Sequence, residues 1–399
     1  MPTLITSLAS LKRYCEAEQF KGWDPYDGLN SRLFQAIPFA SRSALLRLCV
    51  IQGFKRCPVN LRTLALVPKQ YNAKGIALLL SGYCRLYQVL KTRAIPELGT
   101  ADDALNRINE LATILISLQS RGDYHGACWG YNFDWQARRL FLFPKNTPTV
   151  VATTFAVDAL LQAFEITGNT TYRDTALSAS GFVLQDLHRT PHHSGFLFSY
   201  SPLQGNDTVY NASLLGSKLL SLCYRYTGND TFLKTARQSV EACCKGQRDD
   251  GAWVYGLLPK QAWVDSFHTG YNLDALATYR QISGDNAFDN ILDKGFRYYI
   301  ENFFLPDGTP KYYDNRTYPI DIHCPGQLFV TLDTLGQFTR HADLAQRVLQ
   351  WTVAHMQDRR GYFYYQLKPR LSSKISYMRW SNAFMLNALA TALRASTTS

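Results

Sequence analysis

The 399-residue sequence has no uncharged apolar run of about 18 residues, the length that a membrane-spanning helix requires. Its longest apolar stretch, from Ile76 to Leu90, is interrupted by Arg85. We therefore expect no membrane span, although peripheral association with a membrane stays open. The N-terminus lacks the basic segment and apolar core of a secretion signal. Together these absences predict a cytoplasmic protein.

Cysteine is present, but its pattern matches neither a disulfide framework nor a metal site. The nine Cys residues are odd in number and irregularly spaced, which favours free buried thiols in a reducing compartment. His268 and His323 are too far apart for the i,i+4 spacing of a helical metal site, and no Cys lies in register with both. We expect neither a metal nor another cofactor.

Charge is unbalanced but not clustered. Lysine and arginine exceed aspartate and glutamate by 42 − 31 = 11 residues, yet they are scattered one or two at a time. The absence of a basic run argues against nucleic acid as a partner. A basic balance together with 13% aromatic residues suits an acidic oligosaccharide or polysaccharide, because aromatic rings stack on the apolar faces of sugars. The oligomeric state is not predicted.

What the sequence does contain is a repeat of paired helices. Apolar helices end at the tripeptides 167–169 (Thr-Gly-Asn), 227–229 (Thr-Gly-Asn) and 283–285 (Ser-Gly-Asp). The glycines are 228 − 168 = 60 and 284 − 228 = 56 residues apart. A fourth copy is predicted to end near residues 339–341, without glycine. Each apolar helix is followed by a helix with one apolar stripe, and then by a segment rich in glycine and aromatic residues.

This alternation predicts an all-α fold, the (α/α)6 toroid or six-hairpin barrel. Helices that are apolar all round form an inner ring, and helices with one apolar face cover it. We expect one domain over residues 1–399, with residues 1–60 as N-terminal helices and a mouth loop, and with short aromatic strand-like segments at the mouth. An open α-solenoid is the alternative, but its repeats are usually shorter, at about 34–47 residues.

The loops before the inner helices of such a toroid gather at one mouth, where they bring polar residues together. His268 opens one apolar helix, and His323 occupies the matching place one repeat later, with Asp321 two residues before it. Histidine titrates near neutral pH and burial tunes carboxylates, so these residue types suit general acid and base catalysis. A helix cap or loop packing is the alternative for a single histidine. The predicted catalytic residues are His268, His323, Asp321, Asp134 and Tyr271.

Substrate-binding residues are predicted at the same mouth. Arg379 is expected to hold a substrate carboxylate, because a guanidinium binds one bidentately; an internal acidic partner is the alternative. Trp380 and Trp135 are predicted stacking platforms, with core packing as the alternative for each. The predicted set is Arg379, Trp380, Trp135, Tyr131, Asn272, Tyr318, Asp24, Asp27, Gln327 and Asn382.

Three segments carry a resemblance to a known superfamily. Residues 24–28 (Asp-Pro-Tyr-Asp-Gly), 267–272 (Phe-His-Thr-Gly-Tyr-Asn) and 318–323 (Tyr-Pro-Ile-Asp-Ile-His) resemble the six-hairpin glycosidase-like superfamily. More narrowly, they look like its members associated with surface-polysaccharide and glycan biosynthesis. The resemblance implies the toroid and a glycoside hydrolase, a sugar epimerase or a polysaccharide lyase. It transfers no catalytic pair residue by residue.

A second resemblance is to the terpenoid-cyclase toroids. Residues 247–253 have their Q-x-x-x-G-x-W spacing, but the acidic motifs D-x-D-D and D-D-x-x-D of those cyclases are absent from the sequence. We therefore expect a carbohydrate-active enzyme of polysaccharide biosynthesis, a uronate epimerase, lyase or glycoside hydrolase, acting on an acidic glycan or a lipid-linked oligosaccharide. The alternatives are a non-catalytic glycan-binding or assembly protein and a terpenoid-cyclase-like toroid.

Overall fold

The computed structural model describes residues 2–136 and 142–398, which form fourteen α-helices and seven short strands. The helices are α1 (Pro2–Ala17), α2 (Arg32–Ala36), α3 (Ala44–Arg56), α4 (Ala73–Leu90), α5 (Ala101–Ser117), α6 (Val150–Thr167), α7 (Thr170–Gly181), α8 (Tyr210–Thr227), α9 (Asp230–Cys244), α10 (Ser266–Ser283), α11 (Asp289–Phe303), α12 (His323–Thr334), α13 (Ala342–Met356) and α14 (Phe384–Thr398). The strands are β1 (Trp135–Gln136), β2 (Leu142–Phe143), β3 (Arg189–His192), β4 (Gly195–Phe198), β5 (Ile320–Asp321), β6 (Tyr364–Leu367) and β7 (Ser373–Ser376).

The helices form two concentric rings. The inner helices α4, α6, α8, α10, α12 and α14 each contact the next, and α14 contacts α4, so the inner ring closes. The outer helices α5, α7, α9, α11 and α13 each pack on the inner helix that precedes them in the chain, and α1 packs on α14. The predicted (α/α)6 toroid is therefore confirmed, and closure of the ring excludes the open solenoid.

Glycines end the inner helices as the repeat predicts. Gly168, Gly228 and Gly284 follow α6, α8 and α10 with φ of 70°, 65° and 70°, a left-handed conformation that glycine adopts without a steric penalty. The predicted fourth end near residues 339–341 is wrong. Helix α12 already ends at Thr334, and Gly336, with φ of 64°, provides the left-handed turn there. The flanking residues differ from the Thr-Gly-Asn pattern, which hid this glycine.

Helix α6 is the most apolar of the inner helices. By length and composition its 18 residues are sufficient to cross a membrane, with a mean hydropathy of 1.4, and 61% of them are buried inside the protein. It includes Asp158 and Glu165, and it contacts inner helices on both sides. Placement in a closed inner ring accounts for an apolar surface on every side.

The Q-x-x-x-G-x-W segment has a structural role. The Gln247 side chain donates hydrogen bonds to the carbonyls of Gly251 (3.0 Å) and Ile291 (2.9 Å), and Ile291 belongs to the next outer helix. Gln357, which follows α13, makes the same pair of bonds. It donates to the carbonyl of Gly361 and to the carbonyl of Ser7 in the outer helix α1, each at 3.0 Å. Each glutamine thus ties a loop to the following outer helix. One of the predicted aromatic strand-like segments covers residues 251–255, and these residues are irregular in the structure.

The strands and the segment between α1 and α4 surround the mouth. Strands β1–β2, β3–β4 and β5–β6–β7 pair antiparallel in three small sheets. Residues 31–69, called the rim segment below, include α2 and α3 and have their own small core of Phe34, Ala40 and Ile51 with Leu29. This core is separate from the main core of the toroid.

Candidate active site

A cleft of about 490 Å³ opens at the mouth, where all six inner helices begin. Helices α4, α6, α8, α10 and α12 each contribute lining residues from their first two turns, and the π-helical turn Met378–Ala383 does so before α14. Nearly half of the lining is aromatic. The aromatic residues are Tyr26, Tyr131, Phe133, Trp135, Phe143, Tyr200, Tyr255, Trp263, Phe267, Tyr271, Tyr312, Tyr313 and Trp380.

The charged groups of the cleft have one sign. Lys55, Lys74, Lys260 and Arg379 line it, together with two imidazoles, whereas no Asp or Glu belongs to its described lining. The carboxylates lie behind the lining, where they are bound to protein groups. A cleft of this composition favours an anionic ligand with apolar ring faces.

His268 is held by the carboxylate that begins its helix. Asp265 accepts a hydrogen bond from the His268 backbone N–H at 3.0 Å, so it caps α10. The same carboxylate lies 2.8 Å from His268 Nδ1 through Oδ2 and also accepts from Trp263 Nε1 at 3.0 Å. An ionised carboxylate can only accept, so Nδ1 carries the proton in this contact. The other ring nitrogen, Nε2, is left for a ligand in the cleft.

His323 is held differently, although it too begins an inner helix. It is 2% exposed, its ring is stacked on Phe384 at 4.1 Å, and Nδ1 lies 3.7 Å from Asp321 Oδ1 without a hydrogen bond. Burial lowers the pKa of His323 well below its usual value, and the positive charges of Lys74 and Arg379 nearby lower it further. The ring is therefore neutral at physiological pH.

Asp321 supports this histidine from behind. Its carboxylate accepts hydrogen bonds from Gln366 Nε2 (2.6 Å), Trp380 Nε1 (2.9 Å) and the His323 backbone N–H (3.0 Å). Burial raises the pKa of Asp321 to about 6. Asp321 thus orients two lining residues, Trp380 and His323, but does not itself line the cleft.

Lys74 and Tyr271 form a polar pair in the cleft. Lys74 Nζ donates to the Tyr271 hydroxyl at 3.0 Å and lies 4.3 Å from the ring centroid of Phe155. No ion pair of Lys74 is found in the described parts of the chain. Burial lowers its pKa well below the usual value, and Arg379 lowers it further. A buried lysine without a counter-ion gains its missing partner when an anion binds.

Arg379 has an internal partner, the alternative weighed for it above. Its Nε and Nη2 donate to the two carboxylate oxygens of Asp24 at 2.5 and 2.8 Å, and both side chains are 5% exposed. Asp27, which follows Asp24 in the same turn, is paired with Arg62 at 2.7 Å. Arg379 still lines the cleft, but its charge is already matched, and neither Asp24 nor Asp27 belongs to the lining.

The remaining predicted residues divide between the cleft and its surroundings. Tyr131, Trp135, Tyr271 and Trp380 line the cleft together with His268, His323 and Arg379. Tyr318 is 42% exposed outside it, and Asp134 accepts a hydrogen bond from the Lys145 backbone at 2.6 Å. Buried positions outside the lining are occupied by Asn272, Gln327, which donates to Asp274, and Asn382, which accepts from the Phe363 backbone.

Sequence reasoning missed Lys74, Asp265 as the partner of His268, and the stacked pair of Tyr255 and Trp263, whose ring centroids are 4.7 Å apart at 13°. A signal for Lys74 existed, because it is the one charged residue in the first three turns of an otherwise apolar helix. Within residues 2–136 and 142–398, no group of three His, Cys, Asp or Glu side chains is placed to hold a metal ion.

Comparison with known proteins gives likeness in structure alone. No protein-family model matches the sequence, and no curated protein sequence matches it. A cellobiose 2-epimerase from Bacillus thermoamylovorans is similar with a TM-score of 0.60 at 13% identity, over 81% of this chain and 89% of that chain. The GH76 α-mannanase of Bacteroides thetaiotaomicron gives 0.61 at 12%, over 82% and 87%. An unsaturated glucuronyl hydrolase specific for heparin gives 0.62 at 10%, over 99% and 97%.

These likenesses confirm the fold that the sequence predicts. The chain has the (α/α)6 toroid fold, and the similarity to the glucuronyl hydrolase extends over nearly the whole of both chains. At such low identity the likeness identifies the architecture, so the chemistry has to be argued from the cleft of this protein.

Proposed function

We propose that this protein is a carbohydrate-active enzyme that binds an anionic saccharide, a uronate, and moves a proton at the carbon next to its carboxylate. The observation that carries the proposal is the composition of the cleft. Its lining joins stacked aromatic rings, two imidazoles and cationic side chains, and its described part contains no carboxylate.

The substrate class follows from the lining. The stacked rings of Tyr255 and Trp263 offer a flat apolar surface for a pyranose ring. Lys74, which has no counter-ion among the described residues, supplies the positive charge for a carboxylate, and Lys55 and Lys260 add to it. The solved structures that share the fold include a cellobiose epimerase, a mannanase and a glucuronyl hydrolase, which supports a saccharide as the substrate.

Proton transfer is favoured over hydrolysis. Most glycosidases flank the scissile bond with two carboxylates about 5–9.5 Å apart, and the described lining offers none. It offers instead two imidazoles in different surroundings. His323 is kept neutral and can accept a proton, whereas the ring of His268 lies 2.8 Å from the Asp265 carboxylate. Pairs of titratable groups in contrasting surroundings are typical of an acid and a base.

The proposed reaction begins when neutral His323 takes the proton from the carbon beside the carboxylate. The electron pair moves into the carboxylate, where the growing negative charge stabilises the protonated form of Lys74, which in turn compensates that charge. His268 then donates a different proton, from its own ring, to the substrate. If this proton goes to the same carbon from the other face, the product is an epimer. If the proton goes instead to the oxygen on the neighbouring carbon, the bond between that carbon and that oxygen breaks. The electron pair then returns from the carboxylate to form a carbon–carbon double bond, and the product is an unsaturated sugar.

A panel of uronate-containing and neutral oligosaccharides, incubated in heavy water, tests this proposal. We expect deuterium at the carbon next to the carboxylate, or an unsaturated product, from uronates only. His323→Gln and His268→Gln should each lower the rate about 10²–10⁴-fold. His355→Gln is the matched control, since His355 lies exposed at the end of α13, outside the cleft lining.

Three outcomes would count against the proposal. Release of a new reducing end without deuterium at carbon would indicate hydrolysis. Saccharide binding without turnover would indicate a glycan-binding protein on the same toroid. Equal loss of activity in the His355→Gln control would show that the histidine variants act through the fold rather than through the chemistry.

A further inference from the structure

The rim segment concentrates the exposed apolar side chains of the protein. Of the thirteen large apolar side chains that are exposed in the described chain, nine lie between Leu33 and Leu66. Leu64, Phe39 and Leu45 are 75%, 72% and 64% exposed. Single exposed apolar residues are ordinary, but a concentration of this kind on one segment marks an interaction surface.

The same segment carries charge of one sign. Residues 31–69 contain seven Lys and Arg residues and no Asp or Glu. Arg62 and Lys69 are paired with acidic residues from outside the segment. Arg32, Arg42 and Arg56 are exposed and form no ion pair with any described residue. The outward face of the segment is therefore both apolar and cationic.

The inward face of the segment is already occupied, whereas its outward side chains are exposed among the residues that the structure describes. Helix α3 packs on β1 and on the turn Asp27–Asn30, and its Gln52 and Lys55 line the cleft. Of the residues of α3, only Ile51 is buried. The exposed leucines of the segment take no part in this packing.

We propose that the rim segment docks on the surface of an anionic lipid bilayer. Apolar side chains that enter the boundary between headgroups and acyl chains, flanked by cations that meet lipid phosphates, are the chemistry of peripheral membrane binding. A second copy of this chain fits less well, because a symmetric dimer would bring two identical cationic faces together. Nucleic acid would leave the exposed leucines in contact with water or phosphate.

Docking in this way would hold the cleft at the membrane. Lys55 belongs to the same helix as the exposed Leu45 and Arg56, so the mouth would face glycans that are attached to lipid. The inference does not depend on the proposed proton transfer, since binding to vesicles is measured without any saccharide.

Sedimentation of the full chain with vesicles provides the test. We expect binding to vesicles of phosphatidylcholine mixed with phosphatidylglycerol, weak binding to phosphatidylcholine alone, and release by salt. Each cation near an anionic surface contributes about fivefold in affinity. The triple variant Arg32→Gln, Arg42→Gln, Arg56→Gln should therefore lose about a hundredfold.

Controls separate a surface effect from a general one. Lys91→Gln, Arg225→Gln and Lys234→Gln remove the same charge from exposed positions away from the mouth, and should change binding by less than about threefold, since charge beyond a Debye length is screened. Leu45→Ser with Leu64→Ser should weaken binding at least as strongly as the loss of one cation, whereas the Met variants at both positions should not.

Two results would overturn the inference. The first is equal binding of the rim and control triple variants to anionic vesicles, which would assign the attraction to net charge alone. The second is absence of binding to the anionic vesicles. In that case light scattering would show whether the protein forms a concentration-dependent dimer that the double variant Leu45→Ser with Leu64→Ser abolishes. Such a dimer would make the face an interface between copies of this chain.

Discussion

The buried ion pair between Asp24 and Arg379 gives a stability prediction whose size follows from its burial. Asp24→Asn removes the negative charge but keeps the shape of the side chain. Arg379 then stays buried near Lys74, whose pKa is already lowered by the positive charge of Arg379. Removal of one partner of a buried pair destabilises a protein by about 3–5 kcal/mol, because the other charge is left uncompensated.

The chain offers a matched control for this substitution. Arg280 donates to both oxygens of Asp289, each at 2.8 Å, so the pair has the same bidentate geometry. Its side chains are 47% and 39% exposed rather than 5%. An exposed pair contributes about 0–1 kcal/mol. Asp289→Asn should therefore lower the free energy of unfolding much less than Asp24→Asn does.

Urea unfolding followed by far-ultraviolet circular dichroism measures both variants against the parent protein. The difference between the two losses isolates burial, since the residue change and the hydrogen-bond geometry are the same. Equally small losses would refute the reasoning, because they would mean that water reaches the Arg379 guanidinium as freely as that of Arg280. A large loss for both would indicate that the substitution acts through hydrogen-bond geometry rather than burial.

Three further substitutions test the pH dependence and the packing of the fold. Burial raises the pKa of Asp321 to about 6, so the folded protein keeps a proton that the unfolded chain releases from about pH 4 upward. The free energy of unfolding of the protein, relative to that of Asp321→Asn, should thus fall by up to about 3 kcal/mol as the pH rises from about 4 to 6. Urea unfolding of both proteins at each end of this pH range measures the difference, and a difference that does not change with pH would contradict the prediction. Gly181→Ala should destabilise by about 1–3 kcal/mol, because its Cβ would lie 1.8 Å from the His125 carbonyl oxygen. Gly53→Ala, in open space on α3, should instead stabilise by about 0.5–1 kcal/mol, and thermal unfolding that gives both variants the same sign would exclude this explanation.

The fold could be predicted from the sequence because its signals are local and repeated. An inner helix has to be apolar all round and an outer helix on one face, and glycine is needed where each hairpin turns. Gly168, Gly228 and Gly284 therefore mark the hairpins directly. The rim segment was not foreseen as a separate unit, because its small core depends on contacts that no periodicity reports.

The candidate site was predictable only where the helix register fixes it. His268 and Tyr271 lie in the first turns of α10, so the position of the helix brings them to the mouth. Asp134 depends on loop geometry, which sequence patterns do not specify. The pairing of Arg379 with Asp24 joins residues 355 positions apart, and such a contact has no local signal.

The common direction of the six inner helices has a kinetic consequence. Each helix carries a partial positive charge of about half a unit at its N-terminus, and in this ring all six such ends surround the cleft. Their fields add along the axis, where no described lining carboxylate opposes them. Anions should thus be attracted into the cleft before any side chain contacts them. As ionic strength rises, the association rate should therefore fall, whereas the dissociation rate should change less.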